Sequence, residues 1–118
     1  MSGTRQIVDL LEAGLRAEAL RQKTIANNVA NLETPGYRRL DVKFEELLAK
    51  ALDSGDIDPQ DLELEINQPE QTPVKTNGND VTLEGEVGEM VKNTLRHKAY
   101  IRLLQKKYSQ IDQAINIK

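Results

Sequence analysis

The chain has 118 residues, of which 38% are hydrophobic and 30% charged, with a formal net charge of −3 and no cysteine. This length suits one domain and leaves no room for a catalytic domain with a second module. The lack of cysteine excludes disulfides, thiolate metal sites and a cysteine nucleophile. No Lys/Arg cluster is dense enough to predict nucleic-acid binding. Because only 3% of the residues are aromatic, an elongated helical protein is favoured over a globule.

The first predicted element is a long helix over residues 3–32, within an N-terminal assembly segment 1–34. Its apolar residues recur at alternating steps of three and four, which is typical of a coiled-coil seam. Glu18 and Gln22 occupy the two slots that are not apolar. The seam residues are Val8, Leu11, Leu15, Ile25, Val29 and Leu32. A second line on the other side of the helix comprises Leu10, Ala13, Ala17 and Leu20.

An unusual segment ends this helix. Thr34, Pro35, Gly36 and Tyr37 predict a type II turn, because proline presets φ and glycine accepts a positive φ. Asparagines are poor helix formers, since their amides compete for backbone groups, yet Asn28 and Asn31 lie on one helix face. Three roles are open for these amides: they bind backbone at a subunit contact, brace the turn, or cap a fraying helix end.

A turn and a short helix are predicted over residues 35–52. Asp41 is the expected cap of a helix over residues 41–52. The apolar face of that helix consists of Val42, Phe44, Leu47, Leu48 and Leu52.

Residues 53–80 form a predicted acidic extended linker, with eight carboxylates against a single base, Lys75. Prolines and glycines leave space for at most one short strand, at residues 62–66. The segment from Asp56 begins like a calcium loop. It has Asp61 where glycine is needed and Asn67 where a bidentate glutamate belongs, so no metal site is predicted.

The last predicted element is a helix over residues 83–117, within a C-terminal assembly segment 81–118. Its seam residues are Leu83, Val87, Met90, Ile101, Leu104, Tyr108, Ile111 and Ile115. Thr94 and His97 fill the other two slots. His97 is the only histidine and has no nearby metal partner, so we expect it to tune packing and make assembly mildly pH-sensitive. A back stripe comprises Val91, Leu95, Ala99 and Leu103.

These elements predict a mainly α fold: two long terminal helices paired as an antiparallel coiled-coil hairpin, with a short helix and an extended acidic linker between them. Pairing buries only the seams, so both back stripes are predicted to stay exposed in a single chain. Leu10, Leu20, Leu95 and Leu103 are therefore the expected inter-subunit contacts. The alternative is that the small residues of these stripes are good helix formers on a solvated face.

Enzymatic and membrane functions find no support in the sequence. It contains no glycine-rich phosphate loop, no serine elbow and no carboxylate pair in an obvious cleft, so neither catalysis nor a cofactor is predicted. The first residues do not read as a cleaved signal peptide. No apolar stretch approaches the ~18 residues of a membrane span. We expect a protein that stays in the cytoplasm or leaves it without a cleaved signal.

The segment Asn28-Val29-Ala30-Asn31 followed by Thr34-Pro35-Gly36-Tyr37 resembles the N-terminal signature of the flagellar rod, hook and hook-associated proteins. Residues 38–44, 78–84, 93–104 and 107–115 look like the continuation found in the short proximal rod branch of that family. Leu32-Glu33 and Thr82 depart from the family pattern.

The resemblance implies a structural subunit of the proximal rod of the bacterial flagellar basal body, which polymerises through its terminal helices and transmits torque. It also implies export through the flagellar type III apparatus into the periplasm, without a cleaved signal peptide. The implied partners are copies of the chain, other rod proteins, the ring-to-rod adaptor and membrane-ring components. Other readings are a different rod subunit, or a small helical adaptor or export chaperone of a secretion system. An enzyme is the remote alternative.

Overall fold

The computed structural model of the chain describes residues 2–55, 63–69 and 72–116. Its elements in chain order are α1 (Ser2–Ala30), β1 (Asp41–Lys43), α2 (Glu45–Ser54), β2 (Glu65–Asn67) and α3 (Leu83–Asn116). The two long helices lie antiparallel, because Asn28 near the end of α1 contacts Glu86, whereas Glu12 contacts Tyr108 near the end of α3. The molecule measures 67 × 28 × 15 Å. The predicted fold, two long packed terminal helices with a short helix between them, is confirmed.

The contact between α1 and α3 is largely polar. The residues of α3 that are buried are Glu86, Asn93 and Leu104, and on α1 they include Glu18 and Asn28. The helices also approach closely at Gly14, where a Cβ atom would lie 2.5 Å from the ring of Tyr100.

The buried line therefore differs from the predicted apolar seam over much of its length. Ile25 and Leu104 are buried, and Val8, Leu11, Leu15, Met90 and Ile101 are half-buried. The exposed seam residues are Val29, Leu83, Val87, Tyr108, Ile111 and Ile115. The physical reason is that the amide of Asn93 donates to the carboxylate of Glu18 across the contact. Polar side chains can therefore be buried between the helices in place of apolar ones.

A small apolar cluster forms where α2 packs on α1. Phe44 and Ala51 are buried against Ala13 and Ala17, with Leu47, Leu48 and Leu64 around them. The prediction that Ala13 and Ala17 stay exposed in a single chain is wrong, because their small side chains let α2 approach α1 closely. The alanines of the back stripe of α1 thus form an internal contact.

The segment before α2 is a strand and not the start of a helix. Asp41 was expected to cap the helix, but it begins β1, and its carboxylate accepts from the backbone N–H of Val42. β1 pairs antiparallel with β2 in the register Asp41↔Asn67, Val42↔Ile66 and Lys43↔Glu65. The opposite charges of Lys43 and Glu65 favour this register.

Part of the acidic linker, residues 56–62 and 70–71, lies outside the described residues, and with it the start of the rejected calcium loop and Leu62 of the predicted strand. Within the described part, β2 falls at Glu65–Asn67. None of the described helices is both long and apolar enough to cross a membrane.

Candidate assembly site at the closed end of the helix pair

The turn after α1 has the predicted type II character. The N–H of Tyr37 donates to the carbonyl of Thr34 at 3.3 Å, and Gly36 has a φ of +73°. The turn packs against a second turn before α3, because the Gly36 N–H donates to the Asn77 carbonyl at 2.9 Å. A Cβ on Gly78 would lie 3.4 Å from the Cα of Gly36. Gly78 has a φ of +83°, so its backbone conformation, more than the space around it, calls for glycine at this position.

The side chain of Asn28 joins three parts of the chain. Its Oδ1 accepts from the Leu40 N–H at 2.8 Å and from the Tyr37 hydroxyl at 2.9 Å. Its Nδ2 donates to the Leu40 carbonyl at 2.9 Å and to the Glu86 carboxylate at 3.2 Å. Asn28 is 0% exposed, so this amide is buried with its hydrogen-bonding capacity used.

The hydroxyl of Tyr37 acts as both donor and acceptor at this site. It donates to Asn28 and accepts from Nδ2 of Asn27 at 2.7 Å. Burial raises the pKa of Tyr37, and the charges of Glu86 and Asp80 raise it further against the opposing effect of Asn27. The phenol therefore keeps its proton at neutral pH and remains a donor.

The carbonyl groups at the end of α1 are bound by Asn79. Its Nδ2 donates to the carbonyls of Asn31 at 2.8 Å and Thr34 at 2.7 Å, while its Oδ1 accepts from the Val81 N–H at 2.7 Å. Helix ends leave carbonyls without intrahelical partners, and a buried amide satisfies them here. Asn79, 0% exposed, thus ties the end of α1 to the residues that lead into α3.

Asn31 stabilises the helix end locally. Its Nδ2 donates to the Asn27 carbonyl at 2.9 Å, and its Oδ1 accepts from the Thr34 hydroxyl at 3.1 Å. Of the roles left open for the asparagines, Asn28 takes the bracing role and Asn31 the capping role.

Two carboxylates complete the closed end. Oδ1 of Asp80 accepts a hydrogen bond from the backbone N–H of Arg39. Its buried Oδ2 lies 3.4 Å from Nε of Arg38 and forms an ion pair without a hydrogen bond. Glu86, 1% exposed, is bound by Nε of Arg39 at 2.9 Å. The first turn of α3 is capped by Thr82, whose hydroxyl accepts from the Gly85 N–H at 3.1 Å.

A second polar crossing lies near the middle of the helix pair. The carboxylate of Glu18 binds Nε of Arg96 at 2.8 Å and the guanidinium of Arg21 at 2.5 Å. Asn93 donates to the Glu18 backbone carbonyl at 2.8 Å. Arg21 also binds Glu45 and so attaches α2. Buried ion pairs add little stability but fix which groups meet, so this crossing sets the register of α1 against α3.

The same network shifts proton affinities. Burial by itself would lower the pKa of Arg21, but the hydrogen bond and charge of Glu45 and the charge of Glu18 raise it above its usual value. At Glu45 burial acts to raise the pKa, but the hydrogen bond from Arg21, a backbone hydrogen bond and the charges of Arg21 and Arg96 together lower it below its usual value. Both side chains are thus ionised at neutral pH.

Helix α3 carries most of the exposed large apolar residues in the described part of the chain. Eight of the described large hydrophobic side chains that are exposed belong to α3. Of the expected inter-subunit residues, Leu95 is 63% and Leu103 48% exposed, whereas Leu10 and Leu20 are half-buried. Exposed apolar residues grouped on one element mark an interaction surface.

Sequence reasoning missed Asn79, Asp80, Glu86, Arg39 and the crossing at Glu18. The available signals were Glu18 in a seam slot and Arg96 on the other helix, since a charge at an interior position needs a partner of opposite sign. Nothing local indicates that Asn79 reaches the end of α1, because that contact depends on the antiparallel pairing.

The hydrogen bonds of the site hold backbone segments together. Among the residues that the structure describes, no group of His, Cys, Asp or Glu side chains is placed to hold a metal ion. His97 is exposed on α3.

Comparison with known proteins finds matches along almost the whole chain. The model of the family "Flagella basal body rod protein" matches residues 10–38, which include Asn28 and the turn. The flagellar basal body rod protein FlgB of Borrelia hermsii is 30% identical over 107 residues, covering 89% of this chain and 70% of that protein. FlgB of Bacillus subtilis is 28% identical over 120 residues, covering 93% of this chain and 91% of that protein. FlgB of Escherichia coli K12 is 26% identical over 138 residues, covering 94% and 96%.

Replacing Asn28 with alanine tests the role of its amide. Asn28→Ala leaves the N–H and the carbonyl of Leu40 without their side-chain partner in a part-buried place, and each such group costs about 1–3 kcal/mol. We expect the free energy of unfolding to fall by about 2–4 kcal/mol in denaturant titrations. The matched control is Asn27→Ala, one residue away in α1 and exposed, with an expected loss below about 1 kcal/mol. Equal losses in the two variants would contradict this role.

Proposed function

We propose that this chain, which belongs to the FlgB family of flagellar basal body rod proteins, builds the proximal rod by polymerising through α1 and α3. The chain is a structural subunit of the flagellar basal body rod and assembles there with other flagellar components. The proximal position in the rod and the use of α1 and α3 for the contacts are our proposal.

One observation carries the proposal: buried polar contacts hold the two helices together, while eight large apolar side chains of the described part of α3 are exposed. Leu95 is 63% and Leu103 48% exposed, so both present a large apolar side chain to a neighbour. Burying each such side chain in a subunit contact stabilises the assembly by about 1.5–3 kcal/mol. Together with Leu10 and Leu20, these residues are the proposed inter-subunit contacts.

The motif that spans the end of α1 and the following turn supports this proposal. Asn28, Asn31, Thr34, Pro35, Gly36 and Tyr37 hold the closed end of the helix pair in one shape. A subunit with a fixed angle between its helices and its turn presents the same outer surface to each neighbour, which a regular polymer requires.

The proposed partners are copies of the chain, other rod proteins, the ring-to-rod adaptor and membrane-ring components, met in the periplasm. The chain would reach them through the flagellar type III export apparatus without a cleaved signal peptide. Among the described residues, the apolar side chains larger than alanine that are buried are Ile25, Val42, Phe44, Val81 and Leu104, and this small number supports the route. A subunit with so little buried apolar surface unfolds at low cost for passage through a narrow channel.

Leu95→Asp tests the assembly surface. Because Leu95 is 63% exposed, the substitution should leave the folded subunit intact and act only where a neighbour covers it. We expect synthesis and export as in wild type, no complete rods in isolated basal bodies, and no spreading in soft agar. The matched control is Leu52→Asp on α2, at a leucine 58% exposed. Full-length rods in the Leu95→Asp strain would refute the proposed contact.

Gly36→Val tests the turn. A β-branched residue at positive φ costs roughly 1–2 kcal/mol, and Gly55 offers a control with the same strain, since its φ is +70° and no atom lies within 4 Å of its added Cβ. Gly36→Val and Gly55→Val should therefore lose similar stability in denaturant titrations. Only Gly36→Val should reduce motility. Motility reduced equally in both strains would mean that general destabilisation, not the turn, is responsible.

A further inference from the structure

We propose that Asn77 is a site of spontaneous deamidation, and that the isoaspartate formed there opens the closed end of the helix pair. The inference concerns the covalent stability of the chain, so it does not depend on the proposed polymerisation.

The position of Asn77 in the sequence favours this reaction. It is the one asparagine of the chain that precedes a glycine. Deamidation begins when the backbone nitrogen of the following residue attacks the side-chain carbonyl carbon, and glycine puts no side chain in the path of that attack. Asn77 is also exposed, so water and hydroxide reach its amide. By contrast, Asn28, Asn79 and Asn93 are buried.

Two hydrogen bonds of the turn act on the reaction in opposite directions. The N–H of Asn79 donates to Oδ1 of Asn77 at 3.1 Å. Negative charge develops on this oxygen during the attack, so a donor already in place stabilises the transition state. The N–H of Gly78 donates to the carbonyl of Lys75 at 2.9 Å, and this bond must break before the nitrogen attacks. The folded chain therefore reacts through brief local openings of the turn.

The chemistry needs only water and a base from the solvent. The backbone nitrogen of Gly78 loses its proton and forms a bond to Cγ of Asn77. The bond between Cγ and Nδ2 breaks, and the nitrogen leaves as ammonia after taking up a proton. One water molecule then opens the resulting succinimide ring. Opening at Cγ gives aspartate, whereas opening at the former backbone carbonyl gives isoaspartate, and no atom is oxidised or reduced.

Isoaspartate changes the turn in two ways. Its main chain runs through Cβ and Cγ, which adds one carbon–carbon bond of about 1.5 Å before the nitrogen of Gly78. The former backbone carbonyl of residue 77, which accepts from the Gly36 N–H at 2.9 Å, becomes part of a charged carboxylate beside the main chain. The loop closed by the hydrogen bond from the Lys75 N–H to the Asn79 carbonyl, at 2.8 Å, is thus too long for its present contacts.

The displacement reaches the end of α1 through Asn79. This buried side chain donates through Nδ2 to the carbonyls of Asn31 at 2.8 Å and Thr34 at 2.7 Å. If Asn79 moves, both carbonyls lose this donor, and unsatisfied polar groups favour an open arrangement in which water binds them. Isoaspartate at position 77 therefore detaches the end of α1 from the residues that lead into α3.

Ageing of the full-length chain at mildly alkaline pH tests the site. Mass spectrometry of digested samples follows each asparagine, and electron-transfer fragmentation distinguishes aspartate from isoaspartate. We expect conversion at Asn77 before any other asparagine, with isoaspartate among the products. The matched control is Asn77→Ser, since serine keeps a short acceptor for the Asn79 N–H but has no amide to lose. Earlier conversion of a different asparagine would overturn the assignment of the site.

Urea titration of the aged chains tests the consequence. Ion exchange isolates the deamidated fraction by its added negative charge. We expect its isoaspartate form to have an equilibrium constant for unfolding roughly tenfold or more above that of fresh chains. Asn77→Asp carries the charge without the added backbone atom, so it should lose far less stability, and aged Asn77→Ser should match fresh Asn77→Ser.

Three results would overturn the opening of the closed end. They are an isoaspartate form as stable as fresh chains, an equal loss in Asn77→Asp, and an equal loss in aged Asn77→Ser. The second would assign the effect to charge, and the third to a lesion elsewhere in the chain.

Discussion

The buried amide of Asn28 is the interaction on which the rest of the structure depends. It binds both backbone groups of Leu40, and it also contacts the hydroxyl of Tyr37 and the carboxylate of Glu86. The end of α1, the segment after the turn and the start of α3 therefore meet at one side chain. In a low-dielectric place such a network is strong when every group is satisfied and costly when one is not. The closed end of the helix pair thus has one favourable arrangement.

This polar interior explains the distribution of apolar residues. Helices that pack through leucines and valines would use those side chains internally, but here Asn28 with Glu86 and Glu18 with Asn93 fix the pair at two levels. Eight large apolar residues of the described part of α3 remain exposed, available to neighbours. Buried polar contacts specify geometry more than they add stability. That division suits a subunit that must keep its shape while most of its binding free energy comes from assembly.

The sequence predicted the elements better than their contacts. The three- and four-residue spacing identified both long helices, and Pro35-Gly36 identified the turn, because these signals are local. Apolar spacing could not predict which face of each long helix is buried. That face depends on a hydrogen bond between Asn93 and Glu18, which are 75 residues apart in the sequence. Ala13 and Ala17 gave no sign that α2 covers them, because alanine also favours an exposed helix face. The roles of Asn79 and Asp80 follow only from the antiparallel arrangement.

Hydrogen exchange of the Leu40 amide measures whether Asn28 holds the closed end of the helix pair. Leu40 lies outside the helices and strands, and its N–H donates only to the side chain of Asn28 among the contacts described here. If Asn28 holds this end, the Leu40 amide of the free subunit, at a concentration where it does not associate, exchanges as slowly as that of Ala17 in the buried part of α1. Exchange at Leu40 as fast as in an exposed turn, with α1 still protected, would show that Asn28 does not hold this end.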